Sequence, residues 1–387
     1  MRALHLPGVP SGDDSPYDFP NKPAPPSALQ YTANDYPEPQ PRTSTDASTS
    51  YIVRVSTTAL TRGELTWAEV LDRSRFRASG GAVPGHDVVG IVERVSSIGS
   101  RQAKFKSGDR VWGLIDFDRD GAAADFVHAF EDELSLTPPP MYSLSQRSWD
   151  EVLATLPLSG LTAWQALFEH GDLPVPSSDG ERQSLQPAAE RKSVLITGAT
   201  GSVGVMAVQI AKASGFHVTA VCSSRNVAFV REKLHAEHII DYTEPGFESV
   251  PNAMKRLQRP AVDVVVDCVG GMLLRAIVLG PGCVKRGGRI VTIAGPVSNL
   301  KADAASPSSG GGAGLPGDRR VNDTGAECLF FVVKPSGAQM AQISRLVSEE
   351  HLVGHVDSVF DLEHGREAME KVETRGKVIR GKVVLRV

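Results

Sequence analysis

Val194-Leu-Ile-Thr-Gly-Ala-Thr-Gly-Ser-Val-Gly204 runs directly into Val205-Met-Ala-Val-Gln-Ile-Ala-Lys212, and this stretch decides the fold. A short β-branched strand, a glycine-rich turn and an amphipathic helix form the unit in which backbone N–H groups and a helix N-terminus hold a pyrophosphate. The spacing is Gly198-x-x-Gly201-x-x-Gly204, or equally Ala199-x-Gly201-x-x-Gly204. Gly201 lets the backbone approach the phosphates, and Gly204 lets the helix pack on the strand. Phe216-His-Val-Thr-Ala-Val-Cys222 follows as a second strand, which completes a βαβ unit.

The end of that second strand bears on which dinucleotide is bound. A carboxylate about twenty residues beyond the glycines suits the ribose 2′-hydroxyl of NAD. Here the strand ends in Cys222-Ser-Ser-Arg-Asn226. Hydroxyls and a guanidinium suit a 2′-phosphate, because arginine binds it through two parallel charge-assisted hydrogen bonds. NADPH is therefore the expected cofactor.

The rest of the chain is organised around this unit. It has 387 residues, 41% of them hydrophobic, and a formal net charge of −4, which is enough for two domains with separate cores and gives no sign of nucleic-acid binding. No run of eighteen apolar residues and no basic-then-apolar leader is present, so an intracellular, cytoplasmic protein is expected. The four cysteines, Cys222, Cys268, Cys283 and Cys328, lack CxxC spacing and read as buried free thiols.

Three polar segments, Gly8 to Ser50, Asp172 to Lys192 and Lys301 to Asn322, read as long surface loops, the last placed to act as a lid. Tyr51 to Thr57, His86 to Val95 and Asp109 to Ile115 are short β-branched or alternating runs of a β-rich region. From about Leu156 helices alternate with apolar strands: Glu237 to Tyr242, Val262 to Gly270 and Arg289 to Gly295 suit a parallel sheet buried on both faces.

Several motifs in order carry a family resemblance: Pro84-Gly-His-Asp-Val-Val-Gly-Ile-Val, Ser107-Gly-Asp-Arg-Val-Trp, Gly121-Ala-Ala-Ala-Asp-Phe-Val, Leu156-Pro-Leu-Ser-Gly-Leu-Thr-Ala-Trp, the glycine motif, Asp267-Cys-Val-Gly-Gly, Lys285-Arg-Gly-Gly-Arg-Ile-Val and the final Arg380-Gly-Lys-Val-Val-Leu. The chain resembles a zinc-independent medium-chain dehydrogenase/reductase of the quinone oxidoreductase group. The resemblance implies an α/β protein with a GroES-like β-rich domain plus a Rossmann domain with a doubly wound parallel sheet. Residues 1–149 and 346–387 would form the first, catalytic domain, and 150–345 the NADP-binding one. Zinc-dependent relatives use two cysteines and a histidine as catalytic ligands. His86 stands at the histidine position, whereas the cysteine positions fall near Thr61 and Leu158, so no metal is expected and His86 reads as a packing or hydrogen-bonding residue.

The resemblance also assigns cofactor contacts. Thr162 would lie by the nicotinamide or pyrophosphate; Gly201, Ser202, Val203 and Gly204 would hold the phosphates; Ser223, Arg225 and Tyr242 would surround the 2′-phosphate and adenine. Asn226 replaces the family's frequent lysine, which places more of the phosphate charge on Arg225. Val269, Ala294 and Gly295 would frame the nicotinamide, Phe331 to Val333 would offer backbone to its carboxamide, and Lys382 would reach the cofactor from the C-terminal strand. Thr61 and Trp67 are expected in the substrate pocket, with Glu64 in the same segment. No residue is singled out as proton donor, and water serves equally well.

The expected activity is NADPH-dependent reduction of a quinone or α,β-unsaturated carbonyl, a small-molecule substrate whose developing oxyanion can be held by hydrogen bonds without a metal. Two alternatives stand beside it: an enoyl-thioester reductase of fatty-acid or polyketide metabolism, and a non-catalytic NADPH-binding regulator or RNA-binding relative. No arginine-rich stripe supports the RNA-binding form. Relatives pair through the edge of the Rossmann sheet, which implies a homodimer with Arg289 to Ala294 as that edge.

Overall fold

The computed structural model of the chain describes residues 1–7, 24–40, 49–67, 82–96, 102–141, 143–176, 190–280, 282–297, 319–321, 325–374 and 381–387. The chain divides into two compact units, Met1–Leu161 with Lys334–Val387, and Thr162–Val333. The first unit therefore takes residues 150–161 and 334–345 in addition to the sequence-drawn boundaries.

The first unit begins with β1 (Ala3–His5), antiparallel to β2 (Gln30–Thr32). Its centre is β3 (Ser50–Leu60), followed by β4 (Asp87–Ser96), β5 (Arg110–Leu114), β6 (Phe126–Phe130) and β7 (Leu134–Leu136). One edge of β3 pairs antiparallel with β4 along most of its length, with register shifts at Ile52/Val53 and Val55/Thr57. Ser50–Arg54 also pairs with β6. Bulges of this kind bend a strand and re-aim its two halves. Helix α1 (Gln146–Ala154) starts at Ser145, whose hydroxyl caps the Ser148 N–H, and buries Trp149 and Leu153. Helix α2 (Pro157–Trp164) carries the change of unit at Leu161/Thr162.

The second unit is built on a sheet of seven strands among the described residues. Its elements are β8 (Ser193–Ile196), α3 (Ser202–Ala213), β9 (His217–Cys222), α4 (Val227–Glu232), β10 (His238–Asp241), α5 (Val250–Arg256), β11 (Val262–Asp267), α6 (Gly271–Leu279), β12 (Val284–Thr292), β13 (Arg319–Val321) and β14 (Glu327–Phe330). The order is β10-β9-β8-β11-β12-β14-β13, parallel except for β13 against β14. The chain moves outward from β8 to β10 and then returns to β11 on the other side of β8. A doubly wound sheet binds ligands at such a reversal, outside the carboxyl ends of its strands. The core under it includes Leu195, Val265, Ile290, Leu274 and Cys328.

The chain then returns to the first unit through α7 (Gly337–Ser348), β15 (Val356–Asp361), α8 (Gly365–Glu373) and β16 (Lys382–Arg386). Strand β16 lies antiparallel to Thr57–Leu60 of β3 and parallel to β15, so the sheet order is β15-β16-β3-β4-β5-β7. No helix among the described residues is long and apolar enough to cross a membrane.

Three sequence expectations need correction. Gly8 to Ser50 is not one surface loop: β2 pairs with β1, and Leu29 and Tyr36 are buried in the core with Leu4, Leu65 and Met369. Isolated apolar residues there find partners supplied by distant segments. Likewise Arg319–Val321, inside the segment read as a loop and lid, is strand β13. The rest of that segment's described span ends at that strand, and residues 301–318 and Asn322, with the proposed lid, lie outside the described residues. Arg289 to Ala294 is not a sheet edge, because β12 is paired on both sides by β11 and β14, and among the described residues the edges are β10 and β13. Its β-branched run suits that interior position.

Leu29 is fully buried. Leu29→Ala is expected to destabilise the first unit by about 2–5 kcal/mol. Urea denaturation followed by the fluorescence of buried Trp112 and Trp149 checks it, and a surface loop would instead show no change.

Candidate functional site

The turn from β8 to α3 has a steric reason for each end of its glycine pattern. Gly198 has φ +59°, in the left-handed region. A Cβ on Gly204 would fall on the carbonyl oxygen of Gly198 and lie 2.8 Å from the Cα of Ala199. Gly201 is the N-cap of α3 and carries no side chain to cap it. The first intrahelical bond runs from Val205 N–H to Gly201 C=O at 2.9 Å. The first-turn N–H groups of Ser202, Val203 and Gly204 thus sit at an uncapped N-terminus, which suits an anion. The residues present therefore fit a dinucleotide pyrophosphate.

Behind the turn lies a network that sequence reasoning missed. Asp267 ends β11 and is fully buried. It accepts hydrogen bonds from Thr197 Oγ1 (2.6 Å), Thr292 Oγ1 (2.8 Å), Gly270 N–H (2.9 Å) and Val269 N–H (3.3 Å). Thr197 Oγ1 in turn accepts from Cys268 N–H, and Thr292 Oγ1 from Ala294 N–H. The carboxyl ends of β8, β11 and β12 are joined by this one carboxylate. It places Val269, Ala294 and Gly295 at the site end of the sheet, with Val269 51% exposed.

At the end of β9, Ser223 is buried and Arg225 is exposed. Asn226 donates through Nδ2 to Ser223 Oγ (3.2 Å) and Thr200 Oγ1 (3.3 Å), so it ties this turn to the glycine loop. That is its structural use in place of the lysine. Arg225 has no hydrogen-bond or ion-pair partner among the described residues. Ser224 Oγ donates to Asp241 Oδ2 at 2.5 Å, and Thr243 donates to the other oxygen through N–H and hydroxyl. Desolvation pushes the Asp241 carboxyl up, but these bonds hold it below its ordinary range. Tyr242, half exposed, follows on the same side. Phe331 and Val333 are buried, the Phe331 ring 4.3 Å from that of His170. Thr162 is buried in α2. The cysteines are free; burial, with Asp241, pushes the Cys222 thiol up to about 11.

In the first unit, Lys382, expected at the cofactor, is held by protein groups. Its ammonium is buried against Asp87 Oδ2 and also donates to Thr61 Oγ1 at 3.0 Å. Asp87 further accepts from Leu158 N–H at 2.6 Å. Burial pushes the Asp87 carboxyl up, against the pull of the Lys382 ammonium. A long side chain held in a buried ion pair is not free to follow a ligand. Thr61 is thereby an acceptor for lysine, and its N–H donates to Glu64 Oε2 at 2.9 Å. Trp67 packs edge-on to Phe117, at 4.8 Å between ring centroids, beside His86. His86 Nδ1 is 2.9 Å from Glu64 Oε1. Thr61, Glu64, Trp67, His86, Asp87 and Lys382 are therefore one connected cluster. Among the described residues, no three His, Cys, Asp or Glu side chains are grouped to hold a metal ion.

Against known proteins, the zinc-binding dehydrogenase family model matches residues 234–385. The chain is 34% identical over 338 residues to "Probable zinc-binding oxidoreductase, mitochondrial" of Arthroderma benhamiae, covering 87% of this chain and 88% of that protein. It is 30% identical over 328 residues to "NAD(P)H oxidoreductase RTN4IP1, mitochondrial" of Danio rerio, covering 82% and 77%. The solved quinone oxidoreductase of Coxiella burnetii superposes with a TM-score of 0.69 at 24% identity, covering 100% of this chain and 99% of that one, which shows the shared fold. The chain belongs to the medium-chain dehydrogenase/reductase family, in its quinone oxidoreductase-like group. It is an oxidoreductase of GroES-like plus Rossmann architecture.

Two substitutions test this geometry. Asp267→Asn sets an amide N–H against the fixed N–H of either Gly270 or Val269, and is expected to destabilise the second unit by about 3 kcal/mol. Thermal unfolding followed by circular dichroism checks it. Lys382→Met leaves Asp87 buried without its partner and is expected to destabilise the first unit by about 3–5 kcal/mol. Dinucleotide affinity, measured by fluorescence titration, should not change.

Proposed function

We propose that the protein is an NADPH-dependent oxidoreductase that transfers hydride to a quinone or an α,β-unsaturated carbonyl. The observation that carries this reading is the exposed guanidinium of Arg225, without a partner among the described residues, next to Ser223 at the end of β9. No side chain of the β9 end itself offers a carboxylate to a ribose hydroxyl; Asp241 belongs to β10 and is already taken by Ser224 and Thr243. Arginine suits a 2′-phosphate in a way it does not suit a bare hydroxyl.

When bound, the dinucleotide supplies a hydride. The chain does the rest. Gly198 and Gly204 give the pyrophosphate close access to the start of α3, whose first-turn N–H groups hold it. Arg225 and Ser223 select the 2′-phosphate, Tyr242 flanks the adenine, and Val269, Ala294 and Gly295 bound the nicotinamide end. The donor set at the family's zinc position is His86 with Thr61 and Leu158, and a leucine and a lysine-bound threonine hydroxyl cannot complete the three-ligand site a catalytic zinc needs. Conjugated acceptors suit such a centre, because their developing oxyanion is stabilised by hydrogen bonds alone.

Fluorescence titration with NADPH and NADH on the wild type and on Arg225→Ala tests the cofactor. NADPH should bind more tightly, and Arg225→Ala should weaken it about tenfold to a hundredfold with NADH unaffected. NADPH consumption with a panel of quinones and enones tests the reaction. Binding of neither dinucleotide, or binding without turnover on any acceptor, overturns the proposal, and the latter favours a regulatory protein.

A further inference from the structure

The turn that carries Arg225 is fastened on both sides, although Arg225 itself is exposed. Ser223 to Asn226 is one short 3₁₀ turn after β9, with Ser223 and Asn226 buried and Ser224 and Arg225 exposed. Asn226 N–H donates to the Ser223 carbonyl at 2.8 Å and closes the turn. The Asn226 amide then reaches Ser223 Oγ and Thr200 Oγ1, which fastens the side toward the glycine loop.

The other side is fastened to the neighbouring strand. Strand β10 runs parallel to β9 with Asp241 in register with Cys222, and Tyr242 N–H donates to the Cys222 carbonyl at 3.0 Å. Past that rung side chains take over from the ladder. Ser224 N–H donates to Thr243 Oγ1 at 2.9 Å, and Ser224 Oγ donates to Asp241 Oδ2 at 2.5 Å. Thr243 donates to Asp241 Oδ1 through its N–H at 2.9 Å and its hydroxyl at 2.7 Å. The residue before Arg225 is thus held by backbone and side chain at once. A carboxylate suits this junction because it accepts from all three donors, whereas asparagine meets the same groups only by reversing one bond, from Nδ2–H to Ser224 Oγ.

A negative charge at this strand end opposes a phosphate, so its presence beside the Arg225 turn calls for a use. Arginine grips a phosphate through a planar fork, and its long side chain loses rotamer freedom in doing so. Where the backbone beneath it is already fixed, ordering of the turn adds nothing to that loss, and the preorganisation appears as affinity. A bare ribose hydroxyl makes no such demand on the turn.

We propose that Asp241 and Thr243, at the end of β10, are positioning residues for cofactor selection: by holding Ser224 they preset Arg225 for the 2′-phosphate of NADPH. The proposal rests on the NADPH reading above. It places part of the selectivity in two residues of the neighbouring strand that need not touch the dinucleotide, and it gives Asp241 a role opposite to that of a carboxylate that accepts from the ribose of NAD.

The test uses the full chain as wild type, Asp241→Ala, Asp241→Asn and Thr243→Val, with NADPH and NADH followed by fluorescence titration. Asp241→Ala and Thr243→Val should each weaken NADPH about fivefold to tenfold and leave NADH within about twofold, a split that a general loss of structure does not produce. Asp241→Asn, which restores the bonds without the charge, should bind NADPH within about twofold of wild type. In the Arg225→Ala background Asp241→Ala should add less than about twofold, the mark of a residue that acts through another. Calorimetry with adenosine 2′,5′-bisphosphate and adenosine 5′-monophosphate repeats the comparison without the nicotinamide, and only the bisphosphate should weaken. Tighter NADPH binding in both Asp241→Ala and Asp241→Asn would show a purely repulsive carboxylate and overturn the proposal. Equal weakening of both dinucleotides, an unchanged NADPH to NADH ratio in Asp241→Ala, or a full effect of Asp241→Ala without Arg225, overturns it as well while the NADPH reading stands. A wild type that binds NADPH no better than NADH overturns that reading and the positioning role with it.

Discussion

The buried carboxylate of Asp267 is the constraint on which the dinucleotide end of the molecule depends. Parallel strands meet a ligand at their carboxyl ends, where the ladder stops and backbone groups lose their partners. Asp267 resolves that at three strands at once: two threonine hydroxyls and two backbone N–H groups converge on it, and those hydroxyls accept two further N–H groups. The turns after β8, β11 and β12 are therefore fixed together. A glycine turn held this way presents an uncapped helix N-terminus at a set distance from the carboxyl ends of β11 and β12.

The first unit uses the same physics for another purpose. Lys382 on the last strand and Asp87 on β4 form a buried pair, and the pair is satisfied further by Thr61 and by the N–H of Leu158. Buried ion pairs contribute little net stability against apolar substitutes but strongly disfavour arrangements that break them. Here the pair fixes the register of β16 and the start of α2 against β4, and it leaves Thr61 and Glu64 oriented around His86. At this point the chain has a carboxylate–imidazole pair, edged by aromatic rings, with one nitrogen unpartnered among the described residues.

Much of the fold is legible in local sequence because its signals are local. Val194 to Lys212 encodes strand, turn and helix within one window, and the clash between a Cβ at Gly204 and the Gly198 carbonyl arises six residues apart. The exposed position of Arg225 is local too, since it lies three residues beyond the end of β9. Asp267 was visible as part of a motif but not as a junction, because its partner Thr197 lies 70 residues away. The ion pair of Lys382 was hidden, because a lysine on the last strand gives no hint of a buried carboxylate 295 residues earlier. Leu29 and Tyr36 were hidden in a polar segment, since single apolar residues without periodicity carry no pattern.

By itself the sequence determined that the chain holds a dinucleotide turn between a β-rich part and a doubly wound sheet, because periodicity, glycine sterics and β-branched runs act over a few residues. Only the tertiary structure decided which polar groups are occupied: Lys382 and Thr61 bound to each other, Asp241 held by Ser224 and Thr243, and, among the described residues, Arg225 exposed without a partner and His86 with one nitrogen engaged and the other unmet. Hydrogen-bond saturation is a property of atoms brought together from distant segments, and burial sets how much each unpaired atom matters.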